Sequence, residues 1–372
     1  MAHIFKHPEG TQKGIIVFTH KEIKAFVKFK KSTRFNALNR IQDIIFPFSE
    51  LQSAYKSSFD RIRKNYFVGL HFGWRHENFP TLPFIDFYMG GEGTVTFQEP
   101  EQVLRIPFNS RAFSPVIFQP DPSQPKNYDL ICVSRNARFK HLDRYLASVR
   151  KMYDLNKKYR VLLVVPSVKN ENPKSHYVEL EDDYNSMFSL PERELFTLLK
   201  LDARLGIMGL SQVEIARLYQ QSKVFSLFSQ LEGESRVISE ALLCGLRVVV
   251  KDDLQGGGKD LLNSNNSVEF TSYEDAHLAW IKAIEGEYEP ELESLAKLTR
   301  EDYTIPKLRK YFHQLYERHG QQFDDHLIHT DRLAMRLPAH DLEQPWAQGR
   351  FKTADILEAK QFELFLNSLK IN

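Results

Sequence analysis

The chain is short of cysteine, of any excess of one charge and of long apolar runs, and each shortage closes off a class of explanation. Two cysteines among 372 residues, Cys132 and Cys244, cannot build a disulfide framework or a Cys-rich zinc site. Their apolar neighbours mark them as reduced core positions. Lys and Arg number 50 against 48 Asp and Glu, a net charge of +2, too even for a dedicated nucleic-acid binder. No stretch reaches the roughly 18–20 continuous apolar residues that cross a bilayer. The opening Met-Ala-His-Ile-Phe-Lys-His-Pro lacks the charged-then-apolar layout of a signal peptide, so the expected localisation is cytoplasmic. There is no internal repeat or low-complexity tract. No Gly-x-Gly-x-x-Gly loop follows a strand, which removes a dinucleotide oxidoreductase.

What is present is ordinary globular material, 42% hydrophobic and 12% aromatic, long enough for about two domains. The Pro-rich segment Gln119–Asn127 reads as an interdomain linker. The expected division is therefore 1–125, 126–322 and a C-terminal segment 323–372, in which Thr353–Leu369 has the pattern of an amphipathic helix. Charge is uneven locally: residues 21–64 carry eleven Lys and Arg against four Asp and Glu. That stretch reads either as a solvated face or as one that meets an anionic acceptor or membrane surface. Within it, Lys21–Lys31 fits an amphipathic helix lying on a membrane and fits a core-facing helix equally well.

In the first half, Gly14–His20 and Tyr66–His71 read as buried strands. His20 and His71 end these strands and are candidates for the acceptor side of a cleft, beside the alternative of structural histidines. After the linker, strands are expected at Leu130–Ser134, Arg160–Val165, Val224–Phe228 and Val248–Val250. The spacing of Leu142, Tyr145, Leu146, Val149, Met152 and Tyr153 predicts a helix. Ser211 and Glu214 form a capping box for a second, and Gly245 is a suitable residue to end a third over Val237–Cys244. Strands alternating with helices predict an α/β fold with a doubly wound parallel sheet, whose ligands bind beyond the C-terminal strand ends.

Two strand-to-helix loops hold the chemistry. Ser134–His141 offers free amides together with Arg135 and Lys140, a suitable set for an anion. Glu232–Glu240 offers Gly233, a second acid Glu234, and the amides near Ser235 and Arg236. Glu232 and Glu240 are carboxylates that accept hydrogen bonds from vicinal hydroxyls, as sugars present them. Cations, amides and two such acids together describe a site for a nucleotide-diphosphate sugar.

Residues 128–284 resemble the nucleotide-binding half of a family-4-type retaining glycosyltransferase of the GT-B fold, in which two Rossmann-like domains face a cleft. The Glu-x7-Glu motif matches Glu232 and Glu240, followed by Ala241-Leu-Leu-Cys-Gly245, and the Arg and Lys after the first strand match Arg135 and Lys140. Ile215–Tyr219 and Val224–Phe228 resemble the preceding helix and strand. Gly209 stands where a Gly flanks the nucleobase, Gly256–Gly258 where a Gly-rich turn follows, and Asn109–Pro115 resembles the approach to the linker. The sequence departs from the family at Ser134 and His141, where Gly is usual, at Glu234, and at Arg247 in place of Pro. The resemblance implies that Glu232 contacts the transferred sugar, Glu240 holds the ribose, and Arg135 and Lys140 neutralise the diphosphate. It further implies retention at the anomeric carbon. No cofactor is expected beyond the nucleotide-diphosphate sugar as co-substrate. No Asp-x-Asp motif is present to hold a metal, so metal independence is expected. The acceptor would be a glycan or lipid-linked glycan in surface polysaccharide or lipopolysaccharide synthesis. The alternative is a non-catalytic chain of similar fold that binds a glycan or partner.

Overall fold

A computed structural model describes residues 3–5, 12–19, 63–72, 76–79, 81–82, 84–91, 95–166, 177, 179–201, 210–233 and 235–325. The expected helices at 21–31 and 353–369, most of the basic stretch 21–64, and His20, Gly209 and Glu234 lie outside them.

The chain divides into two α/β units, one over Ser114–Thr304 and the other from the residues before Ser114 together with those from Ile305 on. In the first unit, β1 (His3–Phe5), β2 (Gly14–Thr19), β3 (Tyr66–His71), β5 (Phe87–Met89) and β7 (Arg105–Ile106) form one sheet in the order β1-β2-β3-β5-β7. Only β1 runs antiparallel to its neighbour. A separate parallel pair joins β4 (His76–Phe79) to β6 (Val95–Phe97). All six residues of β3 are buried, the continuous apolar run of a covered parallel strand. Gly69 lies opposite Phe87, whose ring occupies the space a Cβ would need, at 2.3 Å. One face of the sheet is covered from far along the chain. Leu308, Phe312, Leu315 and Tyr316 of the helix Glu301–Arg318 join Ile15, Val17, Phe67 and Phe87 in a single core.

The second unit has six parallel strands: β8 (Tyr128–Val133), β9 (Val161–Pro166), β10 (Phe196–Leu201), β11 (Ser222–Leu227), β12 (Arg247–Lys251) and β13 (Ser267–Phe270). Their order is β10-β9-β8-β11-β12-β13. Counted from β8 this is 3-2-1-4-5-6, the doubly wound arrangement that leaves a crevice between strands 1 and 4. Strand alternation divides the core in two. Leu130 and Cys132 face the helices Leu142–Asp154 and Ala276–Glu285, while Ile131 and Val133 face Gln212–Gln220 and Val237–Leu243. Helices thus cover both faces of this sheet.

Local signals hold closely here. Ser211 accepts from the Glu214 amide at 3.2 Å and its own amide donates to the Glu214 carboxylate at 2.6 Å, so the capping box is formed. Gly245, at φ +80°, closes Val237–Leu243: its amide donates to the Leu242 carbonyl and the Leu246 amide to the Ala241 carbonyl, a Schellman end.

The Pro-rich segment Gln119–Asn127 lies inside the second unit rather than between domains. It is fastened there: the Gln220 side chain donates to the Gln119 carbonyl at 2.8 Å, and Lys126 donates to the carbonyls of Gln220 and Ser222. Proline marked a break in regular structure, and the break is a packed turn. The chain likewise rejoins the first unit at Ile305, well before residue 323.

Candidate functional site

The loops after β8 and β11 leave the strand ends on either side of the sheet's crevice, and their side chains meet there. The short 3-10 turn Arg138–Lys140 follows β8 and ends at His141, which takes the left-handed conformation at φ 51° and ψ 41°. A glycine adopts that conformation without strain. Here a histidine holds it, with its ring against Tyr273, 5.1 Å between centroids. The turn sends Lys140 inward while Phe139 and Arg135 stay exposed.

Lys140 donates from Nζ to Oε1 of Glu232, across 92 residues of sequence, and the two side chains are only 8% and 6% exposed. Burial presses the Lys140 ammonium below lysine's ordinary range; the Glu232 carboxylate opposes this and Arg135 adds to it. Breaking such a pair by deleting one partner costs about 3–5 kcal/mol, because the other charge stays buried. Beneath the pair lies Cys132, whose thiol burial pushes up to about 12, so it stays protonated core material. Cys244 is buried too, and both are free thiols.

Glu232 is held in place by the glycine turn. Its amide donates to the Gln255 carbonyl at 2.9 Å, and the Gly257 amide donates to the Gly233 carbonyl at 2.8 Å. Gly256 and Gly257 have φ of +73° and +61°; a Cβ on the first would meet the Glu232 carbonyl oxygen at 2.1 Å, and on the second the Glu232 Cβ at 2.5 Å. Only glycine fits either position, on conformation and on space. Two of the three glycines read in sequence as a turn, Gly256 and Gly257, are therefore the seat of the acid. Their consecutive run was the available signal; their target was not legible.

Glu240 is buried in Val237–Leu243, with Arg236 Nε 3.5 Å from its carboxylate. Burial raises the Glu240 carboxyl above its ordinary range, and the Arg236 guanidinium opposes the rise. Gly233, Ser235 and Arg236 are partly exposed beside these acids in sequence. Of the other site residues read from sequence, His71 is buried at the C-terminal end of β3 in the first unit, and Gly209 and Glu234 are outside the described residues. Among the described residues, no group of three or more His, Cys, Asp and Glu side chains is arranged to hold a metal ion. Nor, among them, is any helix long and apolar enough to cross a membrane.

No protein-family model matches the chain, and no curated protein matches it in sequence. Solved structures do resemble it in fold. The pneumococcal O-GlcNAc transferase GtfA, in complex with UDP and GlcNAc, is 14% identical at a TM-score of 0.49, over 70% of this chain and 54% of its own. This chain thus spans about half of GtfA's length. Sucrose-phosphate synthase from Thermosynechococcus elongatus is 14% identical at a TM-score of 0.47, over 76% and 81% of the two chains. The lipopolysaccharide outer core galactosyltransferase WaaB is 11% identical at a TM-score of 0.41, over 71% and 72%.

Proposed function

We propose that the chain is a retaining, metal-independent hexosyltransferase that moves a sugar from a nucleotide-diphosphate donor to a glycan or lipid-linked acceptor. The observation that carries this reading is the meeting of Lys140 and Glu232 at the crevice of a 3-2-1-4-5-6 sheet. Ligands of such sheets bind at that crevice, and the pair sets a cation for a phosphate beside a carboxylate for hydroxyls. Arg135 and Lys140 neutralise the diphosphate as it leaves with growing negative charge, the role a metal plays elsewhere. Glu232 holds the transferred sugar and Glu240 the ribose hydroxyls, with Gly233, Ser235 and Arg236 lining the phosphate side. The acceptor hydroxyl is guided by the departing phosphate, without a protein nucleophile. His20 and His71 belong to the acceptor side. The basic stretch 21–64 meets an anionic acceptor or the inner face of a membrane, and surface polysaccharide synthesis is the setting.

Calorimetric titration with UDP, GDP, ADP and CMP tests the site, and no binding by any of them sinks the enzyme reading. With the preferred nucleotide's sugars as donors, Lys140→Ala is expected to lower turnover about a hundredfold or more, as for other lost charge-stabilising donors. Nucleotide binding without turnover on any acceptor selects the non-catalytic alternative instead. Turnover abolished by a chelator removes metal independence, and an inverted product anomer removes retention.

A further inference from the structure

The lysine that would hold the diphosphate is already occupied: its ammonium is bonded to Glu232, and both side chains are buried. We propose that Glu232 competes with bound diphosphate for Lys140, so that the acid which holds the sugar also drives release of the sugar-free product. The proposal rests on the reading of Ser134–His141 as a diphosphate site.

Three features set up the competition. The Glu232 backbone is held beside the site, its amide bonded to the Gln255 carbonyl and its carbonyl and Cβ lying against Gly256 and Gly257. The Lys140 backbone is held too: its amide donates to the Ala137 carbonyl at 2.8 Å, and the Phe139 ring lies 5.1 Å from Nζ. Arg135, in contrast, is exposed and meets an incoming anion without giving up a buried partner. An anion that takes over Lys140 therefore leaves a fixed carboxylate facing like charge at low dielectric.

The donor escapes this penalty and the product does not. While the sugar is attached, its hydroxyls donate to Glu232 and separate the carboxylate from the phosphates. Once the sugar has moved to the acceptor, the carboxylate loses those donors and regains Lys140, weakening the hold on the diphosphate. The two ligands are thereby discriminated by one residue through its exchange of partners.

Inorganic pyrophosphate is the probe, titrated calorimetrically into the full chain as wild type, Glu232→Gln, Lys140→Met and the double variant. Glu232→Gln keeps shape and hydrogen bonding but removes the competing charge, and is expected to bind about tenfold tighter, within the usual range of coupling between sites. In the Lys140→Met background the same change is expected to gain nothing. A folded Glu232→Gln chain, checked by its thermal melt, that binds pyrophosphate no tighter than wild type overturns the proposal. So does a gain that persists without Lys140. Should Glu232→Gln fail to fold, Glu232→Asp draws the carboxylate back by one methylene and is expected to tighten binding in the same Lys140-dependent way; unchanged affinity there also overturns it. Pyrophosphate binding that depends on Glu232, with no nucleotide bound more tightly, would remove the nucleotide-sugar reading and leave this coupling standing. Clear nucleotide binding that ignores Glu232 would do the reverse.

Discussion

The first unit covers one face of its sheet with a helix that arrives some 190 residues after the unit's last strand-bearing segment ends, at Phe113 and Ile305. The second builds both of its cores from one continuous stretch, Ser114–Thr304. In the second unit each strand is followed by elements that pack on it, so periodicity and caps predict structure one element at a time. In the first, Ile15, Val17 and Phe67 have partners, Leu308 to Tyr316, that no local pattern could assign to them. The charged residues differ as well. The second unit buries Lys140, Glu232 and Glu240 beside a crevice, while Asp86 of the first, its side chain 2% exposed just before β5, ties Arg63 at 2.6 Å and the Val68 amide of β3 at 2.7 Å.

If the two units are separately built, damage to one should spare the other. Leu315→Asp places an unpaired charge where exposure is 0% and is expected to cost more than about 4 kcal/mol in the first unit. Hydrogen exchange should then show β2 and β3 losing protection while β8, β9 and β11 keep it; joint loss would break the comparison. Next in size, Gly257→Ala in the second unit adds left-handed strain and a collision with Glu232, together about 2–4 kcal/mol by urea melt. Its pyrophosphate binding should change with it, since the collision displaces the acid paired to Lys140.

A smaller effect separates the two buried acids of the site. The Glu240 carboxyl is raised by burial, so the native state keeps its proton longer than the unfolded chain does. That contribution is complete below the ordinary carboxylate range and is lost as pH rises through the raised value. Glu240→Gln lacks it, so its stability relative to wild type should climb as pH rises above the ordinary carboxylate range. A difference that stays flat would mean that Arg236 fully compensates the buried charge. Smallest of all, His141→Gly exchanges left-handed strain for backbone freedom and loses the Tyr273 contact, a net change expected within about 1 kcal/mol by thermal melt.

Much of the second unit was legible beforehand. The helix from Leu142, the capping box at Ser211 and the stop at Gly245 all stand where short-range patterns put them. The strands that periodicity does not pick out are β10 and β13, the two edges of the sheet, where exposed charges such as Lys200 and Glu269 interrupt the apolar run. The Pro-rich segment reads as a linker yet is fastened to the second unit, because a break in periodicity marks a turn without saying whether that turn is packed.

The sequence by itself determined the α/β class, the strand-to-helix loops and the residue types in them, because periodicity, caps and left-handed glycines act over a few residues. Tertiary structure alone decided that Lys140 and Glu232 are partners, that Gly256 and Gly257 are the seat of that acid, and that Leu308 to Tyr316 complete the core of the first unit. Each of these joins segments far apart in the chain, and only the strand order of a folded sheet brings them within reach of a hydrogen bond.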